Sequence, residues 1–325
     1  MVSDAGILQA ASEVTTASLS HGALLYASDE QYLRAVLPFV REGLSAREVV
    51  VVVTDQRRTS MIRSALGRAA AAVDFREPAS SFDTPARAVS AYDRLLRDRR
   101  EAGAPTVRML AEPDFASSTG GESDWVRYEA VLNEVFATSA LNVLCPYDHR
   151  HLPVWVLAHV GCTHPRLQEN GRLEGSWAYR EPTQLLRELA PAPPPDPGPP
   201  VLRREADLAS LAPIRQAFQQ TVCEAGVSSS RAAELAIGLH EIVANALEHG
   251  SARAVLRCWH EDDRVVCEVS DEGPGLDDPL AGYFPPTEDQ LDGRGLWLAR
   301  QIFDSVELHP GRDGSGLCAR LAACL

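Results

Sequence analysis

Up to about residue 190 the chain alternates short, uninterrupted apolar runs with longer stretches of helical periodicity. The runs fall at 23–26 (ALLY), 49–53 (VVVVV), 107–110 (VRML) and 142–145 (NVLC), and the helical stretches include 85–102 and 123–138. A strand that is apolar at every position is covered on both faces, so this order predicts an α/β domain built on a mostly parallel sheet. Beyond residue 200 the pattern changes. Residues 208–225 and 228–249 carry the 3.6-residue period, and two alternating runs, 253–260 and 264–270, flank the acidic turn Glu261-Asp262-Asp263. A helix at 295–303 and strands at 305–308 and 317–322 close the chain. Helices segregated from an antiparallel or mixed sheet predict an α+β sandwich. Residues 191–200 read PAPPPDPGPP, which lacks the backbone donors of a helix or a central strand and favours an extended spacer. The predicted organisation is a first domain at 1–190, a proline-rich linker at 191–200 and a second domain at 201–325.

Composition supports two soluble domains. The chain has 325 residues, 45% of them hydrophobic and 23% charged, enough for each half to bury a core. Its net charge of -14 repels phosphate backbones, so no direct nucleic-acid partner is expected. All 31 basic residues are Arg and none is Lys, which excludes a GxxxxGK[ST] phosphate loop and a Schiff-base lysine. The seven cysteines lack CxxC pairing and read as thiols of a reducing compartment. The first residues have no basic segment before an apolar core, and no apolar run approaches the ~18 residues of a membrane span. A cytoplasmic protein without membrane contact is expected.

Candidate chemistry concentrates in the second half. In LHEIVANALEHG, Glu241, Asn245 and His249 are spaced by four, which places them near one face of a helix. An amide oxygen suits Mg²⁺, and a carboxylate one turn away suits a general base; alone, the pair also fits a solvated helical face. Asp271-Glu272-Gly273-Pro274-Gly275 follows an alternating strand, so Asp271 sits at a strand end beside a glycine turn and could accept the exocyclic amine of adenine. Gly293-Arg294-Gly295 opens a helix whose free N–H groups and dipole suit phosphate oxygens. Each glycine stretch alone is an ordinary turn signal.

In this order the three stretches closely resemble the ATP-binding (GHKL) domain shared by gyrase, sensor histidine kinases and anti-sigma serine kinases, over residues 208–325. The resemblance covers Glu241, Asn245, His249 and Gly250; then Asp271, Gly273 and Gly275; then Gly293 and Gly295. It implies that ATP and Mg²⁺ are the cofactors, that Asn245 holds Mg²⁺, that Asp271 takes the adenine amine and that Glu241 is the base. The run GRGLWLARQIFDSVEL (293–308) is most similar to the anti-sigma regulatory factor and serine kinase branch, of the RsbW type. That branch implies a sigma factor and an anti-anti-sigma antagonist of the STAS type as partners, and its kinases commonly form homodimers. The resemblance implies a Gly-Thr near the final strand that supports the adenine pocket; the matching stretch here reads Gly314-Ser315-Gly316-Leu317-Cys318, so a reduced adenine affinity is expected. The connection 276–292, rich in Asp, Pro and Gly, is a candidate mobile lid.

The first domain resembles the sensory domain abbreviated MEDS over residues 22–181, through His21, Leu24 to Tyr26, FVREGL at 39–44, Cys145-Pro146-Tyr147-Asp148 and His164-Pro165. The likeness implies a degenerate RecA-like fold and a small apolar effector. His21, Tyr147 and His164 are the candidate sensory pocket. Cys145, His149, His151, His159, Cys162 and His164 crowd one sheet edge and read either as packing residues or as a metal or effector site. The reading that unites these signals is a sensory domain that controls an anti-sigma kinase acting on Ser/Thr of its antagonist. The alternative is a nucleotide-gated binding module, or a sensor-kinase-like ATP-binding protein, without protein kinase activity.

Overall fold

The computed structural model describes residues 18–78, 84–103, 106–112, 122–169, 172–189, 197–261, 263–287, 293–311 and 315–325. Most of the expected proline spacer, the end of the 276–292 connection and Gly314 lie outside the described residues.

The first domain runs β1 (Ser20–Tyr26), α1 (Asp29–Ser45), β2 (Val49–Val53), α2 (Gln56–Leu66), β3 (Val73–Arg76), α3 (Pro85–Glu101), β4 (Val107–Ala111), α4 (Glu122–Val135), β5 (Leu141–Asp148), α5 (Val154–Thr163), β6 (Arg166–Glu169), β7 (Arg172–Gly175) and α6 (Pro182–Glu188). Its sheet has the order β3-β2-β4-β5-β1-β6-β7, parallel throughout except for β7, which turns back on β6. The apolar runs become the central strands because both faces are covered. Val51 and Val53 of β2 enter the core beneath α3 to α6, while Val50 and Val52 enter the core beneath α1 and α2. Burying each such side chain contributes roughly 1.5–3 kcal/mol. Side-chain caps fix the helix starts: Ser28 accepts from the Gln31 amide, Asp55 from Arg58 and Thr84 from Arg87.

The second domain runs β8 (Leu202–Ala206), α7 (Leu211–Glu224), α8 (Ser229–Asn245), β9 (Ala254–Glu261), β10 (Arg264–Asp271), α9 (Arg294–Ile302), β11 (Ser305–Pro310) and β12 (Leu317–Cys324). Its antiparallel sheet has the order β11-β12-β10-β9-β8. Val265, Cys267 and Val269 of β10 pack with Leu235, Leu239 and Ile242 of α8 and Phe218 of α7 in one core. On the adjacent register position Glu268, 1% exposed, is held between Arg257 (2.8 Å) and Arg320 (3.0 Å) of the flanking strands.

Four strands were not anticipated from the sequence: β3, the two of the β6–β7 hairpin and β8. Each is short and partly polar, and β3, β7 and β8 stand at sheet edges, where one flank needs no apolar cover.

The two domains are in direct contact. Leu280 and Tyr283, from the segment after Gly275, are buried within the hydrophobic core of the first domain. Arg87 of α3 donates to the carbonyl oxygens of Gln301 (2.9 Å), Ile302 (3.0 Å) and Phe303 (3.3 Å) and to the carboxylate of Asp304 (3.2 Å). Gln301 returns a hydrogen bond to the Ala86 carbonyl at 3.2 Å. Arg87 thus satisfies carbonyls that the end of α9 would leave orphaned, and its charge complements the negative end of the helix dipole. Among the described residues no helix is long and apolar enough to cross a membrane.

Candidate functional site

The site is assembled from α8, the strand end of β10 and the start of α9. Glu241 and Asn245 lie one turn apart on α8, both half-buried. They face Gly295 in the first turn of α9. A Cβ at Gly295 would lie 2.9 Å from Glu241 Oε2 and 3.1 Å from Asn245 Nδ2, so glycine lets α9 rest directly on the carboxylate and amide.

The helix does not run on to His249 as its periodicity predicts. It ends at Asn245 and passes into a π-helical turn, Ala246–Gly250, which widens the coil and shifts the phase of His249 relative to Glu241 and Asn245. His249 still reaches the cavity described below.

Asp271 terminates β10 and is buried, with Oδ1 accepting from the Gly273 amide at 2.7 Å. Three glycines close around it. A Cβ at Gly250 would meet the Asp271 carboxyl carbon at 2.4 Å, one at Gly273 would meet the Gly250 backbone at 2.3 Å, and one at Gly316 would meet the Asp271 carbonyl oxygen at 1.9 Å. Gly316, at φ +68, therefore acts as part of the Asp271 wall, a role the sequence did not disclose.

Between these walls lies a cavity of about 320 Å³, within the roughly 300–1,000 Å³ range of small-molecule sites. Asn245, His249, Asp271, Gly275 and Gly293 line it, together with apolar Ile242, Val269, Leu296, Leu308 and Leu317. Glu241, Gly273 and Gly295 adjoin this lining: Glu241 and Asn245 both face Gly295, and the Gly273 amide donates to Asp271. Arg294 is exposed and donates to the Thr287 carbonyl at 3.1 Å. Gly293 is left-handed at φ +79 and, as a glycine N-cap, brings no side-chain acceptor to the start of α9, where helix amides and dipole suit an anion.

The connection after Gly275 is not a free loop over its described part. Arg300 underlies the Tyr283 ring at 4.1 Å and donates to the Ala281 carbonyl at 3.1 Å. With Leu280 and Tyr283 in the other domain's core, its middle is anchored.

Residues 20–165 match the family model for the methanogen/methylotroph, DcmR sensory domain (MEDS), and residues 204–322 match the model for the histidine kinase-like ATPase domain. The chain joins a MEDS domain to a histidine kinase-like ATPase domain. No curated protein matches it. Solved structures similar to it include the RsbU and RsbW domains of Rv1364c from Mycobacterium tuberculosis, at 19% identity and a TM-score of 0.29. That match covers 39% of this chain and 32% of the other, so it spans about a third of that relative's length. Another is the Acinetobacter baumannii histidine kinase AdeS, at 15% identity and a TM-score of 0.23, covering 44% of this chain and 73% of that one.

In the MEDS domain the structure brings His21, Tyr147 and His164 together. The His21 and His164 ring centroids are 4.3 Å apart, those of Tyr147 and His164 5.4 Å. All three are at most 1% exposed and pack around Glu129, which sequence reasoning missed because nothing distinguishes it from other charged positions of α4. Burial pushes the His164 imidazole down to about 3 and keeps it neutral. The expected Cys/His edge cluster divides. Cys145 and His164 join this buried group, whereas His149 and His151 are exposed beyond β5, His159 bonds to the Trp155 carbonyl and Cys162 lies half-buried on α5.

Proposed function

We propose that the ATPase domain binds Mg-ATP in the cavity between α8, β10 and α9, and that the protein is an anti-sigma-type regulator governed by its MEDS domain. The observation that carries this reading is the convergence of the Asn245 amide, the buried Asp271 carboxylate and the glycine start of α9 on one cavity. These groups suit the nucleotide chemically. Asp271 keeps Oδ2 available for the adenine amine because Gly273 engages Oδ1. Apolar Ile242, Val269 and Leu317 suit the faces of the base, and the amides at Gly293 and Gly295, with Arg294, suit the phosphates. Asn245 offers Mg²⁺ an oxygen ligand. When bound, Mg²⁺ supplies charge neutralisation on the phosphates.

On this reading Glu241 takes the proton of a Ser or Thr hydroxyl on an anti-anti-sigma (STAS-type) antagonist. The hydroxyl oxygen bonds to the γ-phosphorus as the bond to the ADP oxygen breaks. The phosphate adds close to two negative charges to the antagonist and weakens its docking, which frees the ATPase domain for a sigma factor. The setting inferred is the cytoplasm, with homodimerisation as in that branch. The test is transfer of labelled phosphate from ATP to a purified antagonist. Transfer by the natural protein that falls at least a hundredfold in Glu241→Ala supports the reading. ATP binding without transfer to any native partner overturns it.

A second reading, a nucleotide-gated binding module without transfer, is favoured by one observation: Glu241 stands behind Gly295 instead of lining the cavity. It predicts that Glu241→Ala leaves ATP-dependent partner binding unchanged.

A further inference from the structure

Four polar side chains that the nucleotide reading leaves unused converge in the MEDS core. His21 comes from β1, Cys145 from the neighbouring strand β5, Glu129 from α4 and His164 from the end of α5. Ala23 is paired with Cys145 in the sheet, so His21, two residues earlier, shares the face of Cys145 that looks toward α4 and α5. One donor atom from each residue lies within 4.8 Å of the other three, and all four residues are buried.

The closest approaches are those of ligands around one ion. His21 Nε2 is 3.3 Å and His164 Nε2 3.5 Å from Glu129 Oε2, and Cys145 Sγ is 3.5 Å from His21 Nε2. Nitrogen and oxygen ligands about 2.0–2.1 Å from a tetrahedral centre are about 3.3–3.4 Å apart, and a nitrogen–sulfur edge is about 3.5 Å.

The surrounding hydrogen bonds decide which atoms point inward. Asn133 Nδ2 donates to the carbonyls of Glu129 (3.0 Å) and Thr163 (2.7 Å), so its Oδ1 accepts and His21 Nδ1, 3.0 Å away, carries the proton. His164 Nδ1 is 2.9 Å from the Val160 carbonyl, which can only accept. Both Nε2 atoms therefore point at Glu129. Tyr147 donates to Glu129 Oε1 at 2.8 Å, but Glu129 Oε2 is buried with no hydrogen-bond partner. A core group placed only for packing would not leave a buried carboxylate oxygen unsatisfied against two imidazole nitrogens. A cation among these atoms resolves the conflict.

We propose that His21, Glu129, Cys145 and His164 form a buried tetrahedral site for one divalent transition-metal ion of borderline softness, with Zn²⁺ as the type case. Two imidazoles, a thiolate and a carboxylate are the ligand types such ions select. Binding releases the Cys145 proton to solvent, and thiolate plus carboxylate then balance the dication, which leaves the buried centre neutral. Asn133, Val160 and Tyr147 orient three of the four ligands, as outer partners do in metal sites.

The test uses the full chain, produced in zinc-supplemented medium and purified without chelator. Elemental analysis should find about one zinc per chain. Protein produced with Co²⁺ should show the visible d–d bands of a tetrahedral ion and a thiolate-to-cobalt charge-transfer band, the latter lost in Cys145→Ser. Glu129→Gln and Asn133→Ala should weaken metal retention about 10–100-fold in competition with a chelator. His149→Ala, His159→Ala and Cys162→Ser should retain full metal content. Folded natural protein, judged by near-ultraviolet circular dichroism, with only trace zinc and no cobalt bands overturns the proposal. So does metal that survives in Cys145→Ser but is lost from the His149 or Cys162 variants. The zinc stoichiometry and cobalt spectrum of the natural chain need no variant to fold.

Discussion

Asp271 joins two structural demands at one side chain. It is buried in the cavity wall, and on the proposed reading it must keep Oδ2 as an acceptor for the base while Gly273 occupies Oδ1. Replacing it with Asn substitutes a donor where the adenine amine needs an acceptor, so Asp271→Asn should lower ATP affinity about 10–100-fold, the effect of losing one hydrogen bond to a charged group. Calorimetric titration checks this, and unchanged affinity would remove Asp271 from the site. His164 makes a separate prediction. Its folded pKa, about 3, lies below the unfolded value of 6.5, so between these pH values the unfolded state binds more protons. Stability should therefore fall as pH drops below about 6.5, by an amount of order a few kcal/mol. Chemical denaturation in chelator at a series of pH values should show this slope, and His164→Asn should flatten it if it folds.

At the scale of elements, two glycines that look alike in the sequence differ in kind. A Cβ at Gly295 meets the mobile ends of Glu241 and Asn245, which can swing aside, whereas one at Gly316 meets backbone at 1.9 Å from a residue already at φ +68. Gly295→Ala should leave the melting temperature nearly unchanged and weaken nucleotide binding. Gly316→Ala should destabilise the ATPase domain by more than about 2 kcal/mol, because strand β12 must move off the Asp271 turn. Equal melting shifts for the two would show that the contact with Asp271 yields easily. The same contrast explains what could be read in advance. The apolar runs at 49–53 and 107–110 and the periodic helices were legible because burial on both faces or on one stripe leaves a one-dimensional trace. The groups around the cavity were legible as a set because they come in contiguous boxes. The π turn was not, since LHEIVANALEHG keeps its helical period through it. Nor was Glu129, which acquires meaning only from neighbours distant in the chain; the stretch around Gly316 was legible, but not its backbone contact with Asp271.

At the scale of the molecule, α9 connects the two domains end to end. Its N-terminus opens on the cavity, and its C-terminal carbonyls are held by Arg87 of the MEDS domain and by Arg231 at 2.7 Å. The segment that leads from Gly275 toward Gly293 is pinned at Leu280 and Tyr283 in the MEDS core. If a ligand at the start of α9 is felt at the contact its other end makes with the MEDS domain, linkage requires the MEDS domain to change that ligand's affinity by the same factor. Arg87→Ala removes the hydrogen bonds of this guanidinium at the joint while leaving Arg231, Leu280 and Tyr283 in place. The ATPase domain should fold and still bind ATP, because Arg87 lies far along α9 from the cavity walls. What should change is the coupling. Calorimetry of the natural chain should show ATP raising the unfolding temperature of both domains together, whereas in Arg87→Ala the MEDS transition should separate and stop responding to ATP. If the natural domains already unfold independently, or if the variant keeps the joint response, the α3–α9 contact is mere packing and the sensor must reach the nucleotide by another route.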